Sequence, residues 1–259
     1  MFKKNKKFTD LRIVFLGNPE IGIKVYQGLI KKIRIKIIAF ITYEISKELK
    51  ILSKQMRFKL IKVPKYNLKK YFSTVKFLRP DLIFEYGWSE ILDQRFLALC
   101  PIIGQHPSLL PKRRGRAPIT WAILDGLKYT GVTIFYLDQK VDNGNIIYQK
   151  RILISKNETS NTLLNKINTT LVQLTIKYIK KFPYNPIKQQ DHKKASYTKK
   201  RTMLDSEIKL SYTFSTLDKY FRALVPPYYP VPFIKTKFGD IIKLEKVKLI
   251  KKNDFFKKK

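Results

Sequence analysis

The feature that most constrains this chain is an alternation in its first hundred residues. Short apolar runs are separated by stretches that carry one apolar stripe at helical spacing. Residues 11–16 read as a parallel strand buried on both faces, because the apolar run is continuous. Gly17-Asn18-Pro19 breaks it, and the proline suits a first helical turn. Ile21, Val25, Leu29 and Ile30 then mark a helical face. Residues 35–41 follow as a second strand, 44–56 as a helix, 59–63 as a third strand and 68–78 as a helix. Asp81-Leu82-Ile83-Phe84 opens a fourth strand. This repetition dictates an α/β fold with a Rossmann-like, mostly parallel sheet and right-handed crossovers.

Further on, 91–99 reads as a short helix and 119–127 as another. Residues 131–137 and 146–154 read as strands joined by a turn at Asp142-Asn143-Gly144. A long helix spans 158–181, with Thr159 or Ser160 as cap, and Pro183 and Pro186 end it. Residues 187–201 are polar and basic, and His192 among them is expected to be solvated. A helix at 215–223 and strands at 233–237 and 241–249 make a small β-rich C-terminal appendage. The expected division is a basic tail at 1–10, a main domain at 11–182, a linker at 183–200, a small domain at 201–250 and a basic tail at 251–259.

Two common classes are excluded by spacing. Gly17-Asn18-Pro19 lacks the three glycines of a dinucleotide fingerprint, and no phosphate-loop motif is present. One cysteine, Cys100, allows neither an internal disulfide nor a cysteine metal cluster, so no metal is expected. There is neither an apolar signal core nor a run of about 18 apolar residues to span a membrane, so no membrane partner is expected and the cytoplasm is the expected location. The formal net charge of +35 has two readings. It suits a polyanion such as RNA. It also follows from a composition rich in Lys, Ile, Asn, Tyr and Phe, all with AT-rich codons, and the lysines are spread along the whole chain.

The chemistry-bearing residues cluster where strands end. In open α/β sheets, ligands bind beyond the carboxyl ends of the strands. Glu85-Tyr86-Gly87-Trp88 lies at one such end, and Tyr86 and Trp88 are placed to wall a pocket for a flat ring or simply to pack under a loop. His106, one of two histidines, ends another strand. An imidazole suits a general base. Asp142 and Asp138, in the turn after a later strand, are the carboxylates that can orient it; each is also ordinary turn chemistry. Arg113, Arg114 and Arg116 flank Gly115 before a proline-started helix. They fit an anion site or a solvated basic loop equally well.

Taken together, His106-Pro107-Ser108-Leu109-Leu110-Pro111, Arg114-Gly115-Arg116-Ala117-Pro118-Ile119, Thr130-Gly131-Val132-Thr133 and Val141-Asp142-Asn143-Gly144-Asn145-Ile146 resemble the formyltransferases that use 10-formyltetrahydrofolate. The resemblance covers 11–182 as a catalytic domain of the formyltransferase fold and extends weakly over 201–249. It implies His106 and Asp142 as catalytic residues, with Asp142 orienting His106. Tyr86, Gly87, Trp88 and Asp138 would lie against the folate, and Ser108, Arg113, Arg114 and Arg116 against an anionic substrate. The third catalytic residue of that family is an Asn two positions before the histidine, which holds the oxyanion. Here that position is Gly104, and Gln105 beside it points to the opposite face. Another donor or a water serves, or the protein keeps the pocket as a binding module without the chemistry.

Two acceptors follow from the resemblance. The piece after the second strand is only Thr42-Tyr43-Glu44-Ile45-Ser46, without the long basic loop of the methionyl-tRNA enzymes, and the C-terminal part is short. Both features favour a small acceptor, and the primary amine of a nucleotide-linked amino sugar is the expected one, with tRNA as the alternative. The charge favours tRNA, with methionyl-tRNA as the acceptor. A homodimer is compatible with either.

Overall fold

The computed structural model describes residues 8–250 except 34, 66 and 228. The expected basic tails, apart from a 3-10 turn at Phe8–Asp10, lie outside the described residues. The chain divides into two compact units. The first takes Met1–Arg114, Gly131–Lys150 and Ile167–Ser196, and the second Gly115–Thr130, Arg151–Lys166 and Tyr197–Lys259.

The sheet contains β1 (Ile13–Gly17), β2 (Ile37–Thr42), β3 (Lys59–Lys62), β4 (Leu82–Tyr86), β5 (Ile102–His106), β7 (Tyr129–Tyr136) and β8 (Ile146–Leu153). A two-residue strand, β6 (Arg114–Gly115), intervenes in sequence and pairs with β9 (Tyr197–Thr198). The order is β3-β2-β1-β4-β5-β7-β8, with β3 to β5 parallel and β7 antiparallel to β5. The seven-stranded, mostly parallel α/β sheet of the formyltransferase fold is as expected. The chain leaves β1 toward β2 on one side and returns to β4 on the other, which makes the carboxyl ends of β1 and β4 the topological switch point where open α/β sheets bind their ligands.

Local chemistry explains the helices. Asn18 caps α1 (Pro19–Ile30) by accepting from the N–H groups of Glu20 and Ile21, and Pro19 fills the first turn. Ser46 caps α2 (Lys47–Met56) in the same way. Where one helix was expected at 68–78, a 3-10 turn at Leu68–Tyr71 precedes a short α3 (Phe72–Phe77). Neither has a side-chain cap to register a single longer helix. Helix α4 (Gln94–Leu97) leads into β5. The core on one face of the sheet is aromatic: Phe15 stacks on Phe40 with ring centroids 5.9 Å apart and meets Tyr26 and Tyr86 edge-on.

In the second unit, α5 (Pro118–Leu124) packs on α7 (Phe214–Ala223). The Arg201 guanidinium lies over the Trp121 ring, 5.1 Å from its centroid. Strands β10 (Phe233–Lys235) and β11 (Ile241–Lys243) form a small antiparallel pair. The long helix α6 (Ser160–Lys181) runs through both units. Among the described residues no helix is long and apolar enough to cross a membrane.

Candidate active site

Strand β5 delivers His106. Its ring is buried, and both nitrogens face oxygens: Nε2–H donates to the carbonyl of Arg113 at 2.7 Å, and Nδ1 lies 3.4 Å from Oδ2 of Asp142. The carbonyl can only accept, so Nε2 carries the proton in this contact. Arg113 turns its carbonyl inward from a left-handed backbone, with φ of 60°.

Asp142 reaches the histidine by an indirect path. Because β7 is antiparallel to β5, it ends beside the start of β5, where the Leu137 N–H bonds the Ile102 carbonyl. Residues 138–144 therefore fold back along β5 to bring Asp142 to His106. Gly144 is required for that fold: a Cβ there would stand 1.8 Å from the Tyr136 carbonyl oxygen. Asp138 braces the same loop, accepting from the Lys140 N–H at 2.9 Å and from Asn143 Nδ2 at 2.5 Å.

A buried cation holds the loop from behind. Arg114 is 2% exposed. It donates through Nε and Nη2 to Gln190 Oε1, through Nη1 to Asn143 Oδ1, and through Nη2 to Nδ1 of His192. Gln190 in turn donates through Nε2 to the carbonyls of Asp142 and Gly144, at 2.9 and 2.7 Å. The segment around Gln190 is further tied by Lys188, whose backbone exchanges two hydrogen bonds with Ile146. His192, expected in solvent, is exposed but bonded to Arg114.

The end of β4 forms the other side. Glu85 is 9% exposed and accepts from the Trp88 N–H at 2.6 Å. Burial, reinforced by the nearby negative charge of Asp142, pushes its carboxyl up to about 8 against the pull of the Trp88 hydrogen bond. Gly87 makes the turn with φ of 80°. Trp88 stacks on Tyr43, with centroids 3.8 Å apart, and Tyr43 donates to Glu90. The indole Nε1 of Trp88 is buried without a hydrogen-bond partner.

Several expected positions take other places. Tyr86 turns away from Glu85 into the core, where its hydroxyl bonds Thr175 at 2.8 Å; consecutive strand residues face opposite sides, so its ring presents no face to a ligand. Ser108 is buried and donates to the Lys112 carbonyl, holding its own loop. Arg114 is committed to Gln190 and Asn143 rather than open to an anion. Arg116 is exposed in the second unit and exchanges backbone and side-chain bonds with Thr198. Gly104 has its side-chain space filled: a Cβ there would meet Leu137 Cδ2 at 2.4 Å. Glu85, Asn143 and Gln190 were not singled out by the sequence. Among the described residues no group of three or more His, Cys, Asp or Glu could hold a metal ion.

The family described as Formyl transferase matches residues 12–179. The methionyl-tRNA formyltransferase of Kosmotoga olearia is 29% identical over 245 residues, 89% of this chain and 77% of that protein. The methionyl-tRNA formyltransferase of Buchnera aphidicola subsp. Baizongia pistaciae is 30% identical over 241 residues, 88% of this chain and 73% of that protein. Among solved structures, a sugar N-formyltransferase from a Shewanella species superposes with a TM-score of 0.71 at 18% identity, over 93% of this chain and 99% of that one. The chain belongs to the formyl transferase family. It is a 10-formyltetrahydrofolate-dependent formyltransferase.

Proposed function

We propose that the chain transfers the formyl group of 10-formyltetrahydrofolate to the methionyl amine of methionyl-tRNA. The observation that carries this acceptor is the extent of the likeness. The match to the Kosmotoga olearia enzyme spans 89% of the chain, more than the catalytic match at 12–179 accounts for. The formal charge of +35 supports a nucleic-acid acceptor.

His106 and Asp142 are the catalytic pair in this reading. On leaving the Arg113 carbonyl the imidazole carries its proton on Nδ1, held by Asp142, so that the lone pair of Nε2 faces the reacting nitrogen and takes up its proton. The amine adds to the formyl carbon to give a tetrahedral adduct with its charge on oxygen; as the adduct collapses the bond to N10 of the folate breaks and the proton held by His106 passes to the departing nitrogen. Trp88, with its stacked Tyr43 and free indole N–H, and the backbone at Gly87 hold the folate. Asp138 keeps the Asp142 loop in place.

A nucleotide-linked amino sugar is the second reading. It is favoured by the short connection from β2 to α2, which runs from Thr42 to Lys47 with no room for a long loop. Purified protein given 10-formyltetrahydrofolate and either methionyl-tRNA or a panel of amino-sugar nucleotides separates the two. N-formylmethionyl-tRNA is the expected product. Formylated sugar nucleotide alone overturns the tRNA reading. Folate binding with transfer to neither acceptor would leave a binding module.

A further inference from the structure

Acyl transfer builds negative charge on the formyl oxygen, and a preorganised hydrogen-bond donor there is usually the largest single contribution to rate. The side chains around His106 offer few donors. Asp142 is an acceptor when ionised, and Gly104, which shares the face of His106 two residues before it, brings no side chain. The residue directly across from Gly104 on the neighbouring parallel strand is Glu85. Paired positions on adjacent strands put their side chains on the same face, so Glu85 shares the face of His106.

We propose that the carboxylic acid of Glu85, on the face of His106 and directly across from Gly104 on the neighbouring strand, is the hydrogen-bond donor to the formyl oxygen. The proposal rests on the transfer reaction set out above, though not on which acceptor is used.

Three features fit this role. First, the carboxyl has one oxygen fixed: Oε1 accepts from the Trp88 N–H at 2.6 Å. That oxygen acts as the carbonyl of the acid, and Oε2 carries the proton. Second, the site keeps the proton on. Burial and the charge of Asp142 push Glu85 up to about 8, so at neutral pH the group is mostly an acid and can donate. A carboxylic acid held neutral by its surroundings is an established kind of oxyanion donor. Third, position 104, being glycine, supplies no donor of its own. Leu137 and Phe135 occupy the space beside it, with Phe135 Cζ 3.2 Å from where a Cβ would stand.

The test uses the full-length enzyme with two variants. Glu85→Gln keeps a donor, with the amide oxygen on Trp88 and the NH2 in the place of the acid proton. Glu85→Ala removes it. We expect Glu85→Ala to lose about 100- to 1,000-fold in kcat with KM for 10-formyltetrahydrofolate nearly unchanged, and Glu85→Gln to stay within about tenfold of wild type. A second readout needs no acceptor. Infrared difference spectra of bound 10-formyltetrahydrofolate carrying a 13C formyl label report the hydrogen bond directly. Wild type and Glu85→Gln should lower the C=O stretch relative to solution in an apolar solvent, and Glu85→Ala should not. A stretch lowered as far in a folded, folate-binding Glu85→Ala as in wild type overturns the proposal. So does a Glu85→Gln as slow as Glu85→Ala, since the donor would then not be what matters. A wild type that lowers the stretch but does not formylate methionyl-tRNA overturns the acceptor reading alone.

Discussion

Two nitrogens of the Arg114 guanidinium converge on one oxygen of Gln190, at 3.2 and 2.7 Å, while the amide of Gln190 reaches two carbonyls of the Asp142 turn. The pair joins residues 76 positions apart into a single brace. It fixes the backbone from which Asp142 meets His106.

Gln190→Ala should therefore damage both stability and turnover. It strands two carbonyls and part of a buried guanidinium, which costs on the order of 2–3 kcal/mol. In urea unfolding the midpoint should fall, and kcat should fall as Asp142 loses its position. Arg114→Lys should do nearly as much, because an ammonium cannot copy the planar fork. A Gln190→Ala enzyme with wild-type kcat would separate the brace from the chemistry.

The histidine and aspartate should differ in kind. His106→Ala should abolish transfer with little loss of folate binding, measured by equilibrium titration. Asp142→Asn should bind folate and react slowly, because it keeps a hydrogen-bonding side chain against Nδ1 but lacks the charge. Turnover at the wild-type rate in either variant removes that residue from the mechanism.

Glu85 should make the folded state sensitive to pH in a defined direction. Its folded pKa of about 8 lies above the usual carboxylate value, so the folded protein holds a proton that the unfolded chain has released. The favourable contribution is complete below the unfolded value and is lost as pH rises toward 8. Between those limits the slope from this one group approaches about 1.4 kcal/mol per pH unit. Glu85→Gln should thus raise Tm at pH 8 more than at pH 5. Equal gains at the two values would show that Glu85 titrates normally.

The chain has two tryptophans, Trp88 and Trp121. Only Trp88 stands at the candidate site, stacked on Tyr43. Quenching of intrinsic fluorescence by a bound folate should survive Trp121→Phe and disappear in Trp88→Phe. Quenching that follows Trp121 instead would move the folate away from the end of β4.

Much of this arrangement is legible in the residues. The buried strands β1, β2 and β4 announce themselves because both faces are apolar, and His106 and Asp142 stand out by type and spacing. Tyr86 misleads because side-chain direction depends on which strand residue begins the alternation, and Glu85 takes the site face. Gln190 and Asn143 are ordinary polar residues in sequence; their bonds to Arg114 exist only once distant segments meet. The significance of Glu85 depends on its register with Gly104, a pairing that no local pattern encodes.

Leu137 lying over Gly104 also bears on what selection can do at that position. In a library varied at residue 104 alone every side chain must push aside the end of Leu137, so small residues should be accepted at modest cost and large ones rejected. Varying 104 and 137 together should open larger and polar residues there. The two sites are thus expected to evolve as a linked pair, and an amide introduced at 104 succeeds only on a background that has already made room.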